Sequence, residues 1–299
     1  MEKLIFSIAG VSIAVSVESH LHALLKPLTP LLDGFLIHTG APDVILNLSY
    51  DPQQTYPCFE ATPVNLSAKG IPGSSRLVDA LGNTYRLSEN AIMIGFLNGC
   101  LFYNPSSNDG HLLLLRSHDR NHIVATIHKM LFAFTSLVLA ERNRFMAHGA
   151  GICGKDGENG LLFLGDSGAG KTSVAGLAPM DAVLSDDAPV IGKEAEMFCI
   201  YSSPFSQINM FEKRTDDYFR KKVRLRKVLF LNKADELRVT ARERRSALLE
   251  MVNSHVHSLS SMDRRMRLEA FNFCYDLFCS VSAYDLYFQK NDKFWDVLN

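Results

Sequence analysis

C-x-x-C spacing is missing from this chain. The six cysteines (Cys58, Cys100, Cys153, Cys199, Cys274 and Cys279) are scattered through it. Their placement argues against a zinc ribbon or a disulfide scaffold and suits reduced, mostly buried thiols in the cytosol. An excess of either charge is missing too. With a formal net charge of -1, no global field recruits nucleic acid or an anionic membrane. No internal repeat or low-complexity tract is present. What remains is ordinary for a globular protein, with 47% hydrophobic and 21% charged residues. A length of 299 residues is long for one core, so two domains, or one with a large elaboration, are expected.

Two apolar stretches imitate membrane or export segments. Leu4 to Val17 follows Lys3 as a signal peptide would, yet Val11, Ile13, Val15 and Val17 alternate with Ser12, Ala14 and Ser16. That period of two predicts a strand, and Gly10 between two such runs predicts the turn or bulge of a β-hairpin. His122 to Ala140 is apolar around most of its circumference. His128 and Lys129 near its middle would be costly in a bilayer, so a buried core helix is expected.

Residues 1–119 read as a β-rich N-terminal region. Strands are predicted over Phe6–Ile8, Val11–Val17, Val44–Leu48, Ile92–Leu97, Cys100–Tyr103 and His111–Leu115, with Asn98-Gly99 as a two-residue hairpin signal. A helix within His20–Leu32 would be limited by Pro27 and Pro30. Residues 120–299 alternate helices and strands. The prediction is a helix over 120–142, a strand over Phe145–Ile152, and short strands at Ala182–Leu184, Ala188–Ile191 and Met197–Tyr201. A β run at Lys227–Leu231, helices over 240–256 and 263–278, and a strand over Tyr284–Gln289 complete it.

The chemistry concentrates in Gly165-Asp166-Ser167-Gly168-Ala169-Gly170-Lys171-Thr172, which fits the phosphate-loop pattern G-x-x-x-x-G-K-[ST]. Leu161-Leu162-Phe163-Leu164 supplies the strand before it. A helix beginning near Ser173 follows and stops at Pro179. Glycines let backbone N–H groups turn toward phosphate oxygens, and a helix N-terminus adds partial positive charge. Lys171 is placed to reach the β/γ-phosphates and the Thr172 hydroxyl to hold Mg²⁺, so binding of ATP with Mg²⁺ is expected.

Upstream lies Met146-Ala147-His148-Gly149-Ala150-Gly151-Ile152, and downstream Val183-Leu184-Ser185-Asp186-Asp187-Ala188-Pro189-Val190. Two adjacent aspartates on an extended segment point to opposite faces, so they should divide labour. In this order of motifs the chain resembles the HPr kinase/phosphorylase family, and more closely its shorter, divergent serine-kinase relatives. The likeness covers roughly 145–205 well and is looser at Lys227–Leu231 and Tyr284–Phe288. It implies an α/β fold, with a phosphoenolpyruvate-carboxykinase-like P-loop kinase domain over 120–299 and a β-rich accessory or substrate-recognition domain over 1–119. It implies a cytoplasmic kinase that phosphorylates a serine on a peptide or protein. A ribosomally made precursor of the lasso-peptide type is one such acceptor; no nucleic acid or membrane partner is implied, and homo-oligomers are allowed. By that resemblance Asp187 is the general base, Asp186 acts near the metal or orients His148, and His148 hydrogen-bonds an active carboxylate or the phosphate. Gly165 to Thr172, with Ser173, would form the nucleotide cradle.

Some features depart from that family. Its second signature, with a magnesium-holding glutamate and residues tied to phosphorolysis, is not found. Tyr201-Ser202-Ser203-Pro204-Phe205-Ser206 and a basic stretch from Arg214 to Lys227 stand there instead. Kinase activity alone is therefore expected, with HPr itself in doubt as substrate. Arg224 and Arg226 alternate into the next strand, which favours one of them facing the cleft. Asn232-Lys233-Ala234-Asp235 imitates the guanine-reading Asn-Lys-x-Asp of small GTPases, so GTP and a GTP-binding switch stay open, although no Asp-x-x-Gly lies between loop and motif.

Overall fold

The computed structural model describes residues 2–38, 40–51, 62–63, 83–88, 91–96, 99–115, 120–205 and 221–289. They form an α/β structure with two sheets. The first contains β1 (Glu2–Ile8), β2 (Val11–Val17), β3 (Val44–Asp51), β4 (Thr62–Pro63), β5 (Asn83–Ser88), β6 (Ala91–Phe96), β7 (Gly99–Asn104) and β8 (Asp109–Leu115). Their spatial order is β1-β2-β3-β8-β7-β6-β5-β4. The β1–β2 register ends on Ile8↔Val11, so Ala9-Gly10 closes the predicted hairpin with both residues at positive φ.

Two expectations in this region shift. Phe96 pairs with Gly99, so Gly99 belongs to β7, and the turn positions 97 and 98 lie outside the described residues. The His20–Leu32 stretch is two 3-10 turns, Ser19–Leu24 and Lys26–Leu28, followed by the single turn α1 (Thr29–Leu32). Pro27 and Pro30 sit in the first positions of their turns, where a missing N–H costs nothing, so they start these elements.

Helix α2 (Arg120–Ala140) packs against β7 and β8 and also against β9 (Arg144–Met146) of the second sheet, so one core continues across both. Ile123–Ala140 is long and apolar enough to cross a membrane, yet most of it is buried inside the protein. Two glycines explain how closely α2 approaches. A Cβ on Gly99 would lie 2.5 Å from Met130 Cε, and one on Gly110 would lie 2.3 Å from Phe134 Cε2. Met130 and Phe134 stand one helical turn apart, so bare strand backbone forms the two hollows that receive them.

The second sheet continues with β10 (Gly149–Cys153), β11 (Asn159–Leu164), helix α3 (Lys171–Leu177), β12 (Val183–Ser185), β13 (Val190–Glu194), β14 (Met197–Tyr201), β15 (Lys222–Lys233) and β16 (Arg238–Ala241). Helices α4 (Arg244–Glu250) and α5 (Arg264–Ser280) and strand β17 (Ser282–Phe288) complete it. The order is β12-β10-β11-β15-β14-β13-β9, with β17 beside β15 and β16 beside β17. β11, β15 and β17 run parallel, and the apolar runs Leu161–Leu164 and Val228–Leu231 are buried as a central parallel pair requires. Helix α5 is capped by Asp263, whose carboxylate accepts from the Met266 N–H at 2.7 Å, and it buries Met266, Ala270, Phe273, Cys274 and Leu277.

Two predicted elements are divided. The strand over 145–152 breaks between β9 and β10 at Ala147-His148, because Ala147 bridges Val256 and the His148 N–H donates to the His255 carbonyl at 2.8 Å. The helix over 240–256 begins only at Arg244, since Arg238–Ala241 pairs along β17. It ends in a π-helical turn, Met251–His255. Such turns recur at functional sites.

Candidate functional site

The phosphate-loop sequence lies between β11 and α3, as its flanking pattern predicts. Gly168 and Gly170 take φ of 80° and 116°, a conformation that side chains disfavour. A Cβ on Gly170 would lie 2.9 Å from Phe288 at the end of β17. Lys171 is buried, and its Nζ donates to the carbonyls of Gly165 at 2.7 Å and Asp166 at 3.2 Å. The ammonium is thus folded back into the loop. Burial lowers its pKa, while the carboxylates of Asp187 and Asp166 oppose that shift. Asp166, Ser167 and Thr172 are exposed, and Ala169 and Ser173 are half-buried.

Asp186 and Asp187 follow β12, held by the serine before them. The Ser185 hydroxyl donates to the Phe205 carbonyl at 2.9 Å and accepts from the Ala188 N–H at 3.0 Å. The Ser203 hydroxyl donates to the Ala188 carbonyl at 2.6 Å. The strand ends at Ser185 and both acids lie in the bend after it, so the bend and not strand alternation parts them: Asp186 is buried, whereas Asp187 is partly open and near enough to act on the charge of Lys171. His148 Nδ1 stands 3.3 Å from Asp187 Oδ1, at ion-pair range without hydrogen-bond alignment.

Sequence reasoning missed two further histidines. His257 Nε2 is 3.3 Å from the Asp187 carbonyl, and its ring meets that of His148 edge-on at 5.2 Å. Phe132 of α2 closes the other side of His257 at 4.9 Å. His255 is fully buried, stacks toward His148 at 6.5 Å, and brings Nε2 to 3.6 Å from Glu250 Oε1. Burial holds both histidines below the usual imidazole range, His257 at about 4, while the Glu250 carboxylate opposes the shift at His255. Both are therefore neutral near pH 7. The π-helical turn puts Glu250 and His255, five residues apart, on one side of the chain.

On the other flank of the loop an open cleft of about 760 Å³ is walled by Gly165–Ala169 and by Phe230–Lys233 at the end of β15. Arg242, Ser246, Glu250 and Ser254 line it at four-residue spacing, and Asp285 joins from β17. That spacing was a readable signal: a polar stripe along a predicted helix, set against a buried face. Arg242 Nη1 is 2.9 Å from Asp285 Oδ1, and its Nη2 pairs with Glu250. The guanidinium lies over the Phe230 ring, 3.9 Å from its centroid.

The Asn-Lys-x-Asp imitation divides here. Asn232 and Lys233 line the cleft, but the Asn232 amide already donates to the Phe230 carbonyl at 3.1 Å and to Asp285 at 3.4 Å. Asp235, the residue that would read guanine, is exposed and outside the lining. Arg224 and Arg226 are exposed on β15 and also lie outside it, because they stand toward the start of the strand, where Arg224 pairs with Asn159, while the cleft is at its other end. Arg214 and Arg220 fall outside the described residues.

The cradle suits a magnesium-bound triphosphate. The loop carries no side chain where Phe288 closes on Gly170, and Lys171 is already anchored within it. Thr172 and Asp186 offer one hydroxyl and one carboxylate. Magnesium takes few protein ligands and keeps waters and phosphate oxygens for the rest. Among the described residues no group of three or more His, Cys, Asp or Glu is arranged to hold an ion by itself. Comparison with known protein families and with characterised proteins finds no match to this chain.

Proposed function

We propose that this chain is an ATP-dependent kinase that phosphorylates a serine hydroxyl on a peptide or protein, using a phosphoenolpyruvate-carboxykinase-like P-loop domain. One observation carries the reading. Asp187 stands 3.3 Å from His148 and close enough to Lys171 to act on its charge, so acid, histidine and loop lysine converge on one place. Lys171, Thr172 and the loop backbone would hold the nucleotide, and Thr172 with Asp186 the Mg²⁺. When bound, Mg-ATP supplies the phosphoryl group and a divalent charge that offsets its oxygens.

The chain's own residues account for the proton. Phosphoryl transfer is mostly positioning and charge stabilisation, so the protein's remaining task is to remove the acceptor's proton. Asp187 takes it at a carboxylate oxygen as the serine oxygen bonds to phosphorus. His148 positions the carboxylate from the side, and His255 and His257, both neutral, add no charge that would quench it.

Incubation of the full chain with Mg²⁺, isotopically labelled ATP and serine-bearing precursor peptides, read by mass spectrometry, tests the assignment. Labelled phosphoserine is expected. Nucleotide binding with hydrolysis only, and no phosphorylated peptide or protein, would overturn it.

A further inference from the structure

The cleft between the loop and the end of β15 takes no part in the proton transfer described above. It lies on the opposite flank from Asp187: β10 and β12 are on one side of β11, β15 and β17 on the other. A triphosphate whose terminal group meets Asp187 crosses the loop and directs its other end toward β15 and β17. The cleft opens there, against the loop itself.

Lys233 and Asp166 line this cleft with one charge of each sign, so with Arg242, Glu250 and Asp285 its charges suit a neutral donor better than another anion. Arg242 pairs with Asp285 and Glu250 and stacks on Phe230, so little of its positive field is left for a phosphate. The two carboxylates would repel one. Clamped in place, they still have lone pairs to offer, since each carboxylate oxygen accepts more than one hydrogen bond. After its phosphates, a nucleotide presents a ribose with two adjacent hydroxyl donors.

We infer that this cleft receives the nucleoside half of the nucleotide, and that Glu250 and Asp285, fixed by Arg242, accept hydrogen bonds from the ribose hydroxyls. The chain therefore selects ribonucleotides over their deoxy analogues. This rests on the triphosphate-binding reading above and goes beyond it by naming the part of the ligand read and the residues reading it. A ligand lacking those hydroxyls loses two hydrogen bonds to charged groups, which is the source of the discrimination.

Calorimetric titration of the full chain with Mg²⁺ tests it, using ATP, 2′,3′-dideoxy-ATP and inorganic tripolyphosphate as probes. ATP is expected to bind tighter than the dideoxy compound by on the order of tenfold or more, as for loss of hydrogen bonds to charged groups. Glu250→Ala and Asp285→Ala should each shrink that ratio without weakening tripolyphosphate binding, which also reports an intact loop. Equal binding of ATP and dideoxy-ATP by the unaltered chain would overturn the inference and leave the cleft to the acceptor. A preference that persists undiminished in both variants would overturn it too. If neither ATP nor tripolyphosphate binds the unaltered chain, the nucleotide reading itself fails.

Discussion

The two flanks of the phosphate loop differ in how their charges are used. On the flank of β10 and β12, Asp187 lies near enough to act on the charge of Lys171 and is approached by His148 without a completed hydrogen bond. On the flank of β15 and β17, Arg242, Glu250 and Asp285 are already bound to one another. A carboxylate that is partly open and approached by a histidine can change its proton. A charge locked in a network can only present a fixed surface. The first flank is therefore suited to chemistry and the second to recognition, and variants on each should fail in different kinetic terms.

Lys171→Ala removes the group both flanks share and should damage transfer and binding together. Transfer is expected to fall by about 10²–10³, the range for deleting one transition-state donor, with nucleotide affinity falling as well. A variant with normal turnover would show that the loop does not hold the reacting phosphates. Gly99→Ala touches neither flank and tests whether α2 is a common support. Its new methyl would meet Met130 and the Leu113 carbonyl, so unfolding should be easier by about 1–3 kcal/mol in a denaturant titration, while any surviving native protein keeps its affinity. His148→Gln should lower turnover by roughly tenfold and leave nucleotide affinity in place, the behaviour of a group that positions a base. An effect confined to affinity would move His148 to the recognition side.

The smallest effect is on stability against pH. His257 and His255 have folded pKa values below the usual 6.5, with His257 at about 4. Between about pH 6.5 and 4 the unfolded chain binds protons that the fold refuses, so stability falls as pH falls through that window and is flat above it from these groups. Melting temperatures across pH 4–8 should show this slope. His257→Asn should flatten it; an unchanged slope would mean that this ring is not kept neutral by its burial.

How much of this was legible in the sequence depended on distance along the chain. The loop was readable because its eight residues are contiguous and bounded by a strand and a helix. Ser185-Asp186-Asp187 stood out as a contiguous pair of acids, but the strand ends at Ser185, and it is the bend after it that buries Asp186 and opens Asp187. His255 was not: it reaches His148 through a π-helical turn and a single bridge, Ala147↔Val256, which no local period announces. The cleft was harder still, since Asp285 and Arg242 meet only when β16 pairs with β17. The tempting Asn232–Asp235 match illustrates the converse, because its strand was right while its aspartate points outside the cleft. In the first sheet, alternation located most strands, but only tertiary packing shows why Gly99 is in β7 and not in the turn.

The central claim is that Asp187 takes the acceptor's proton. Asp187→Asn keeps the side chain's shape and removes its basicity, so transfer of labelled phosphate to an accepted serine peptide should fall by about 10²–10⁴, the usual worth of a positioned base, with ATP still bound. Undiminished phosphopeptide formation by that variant would contradict the account.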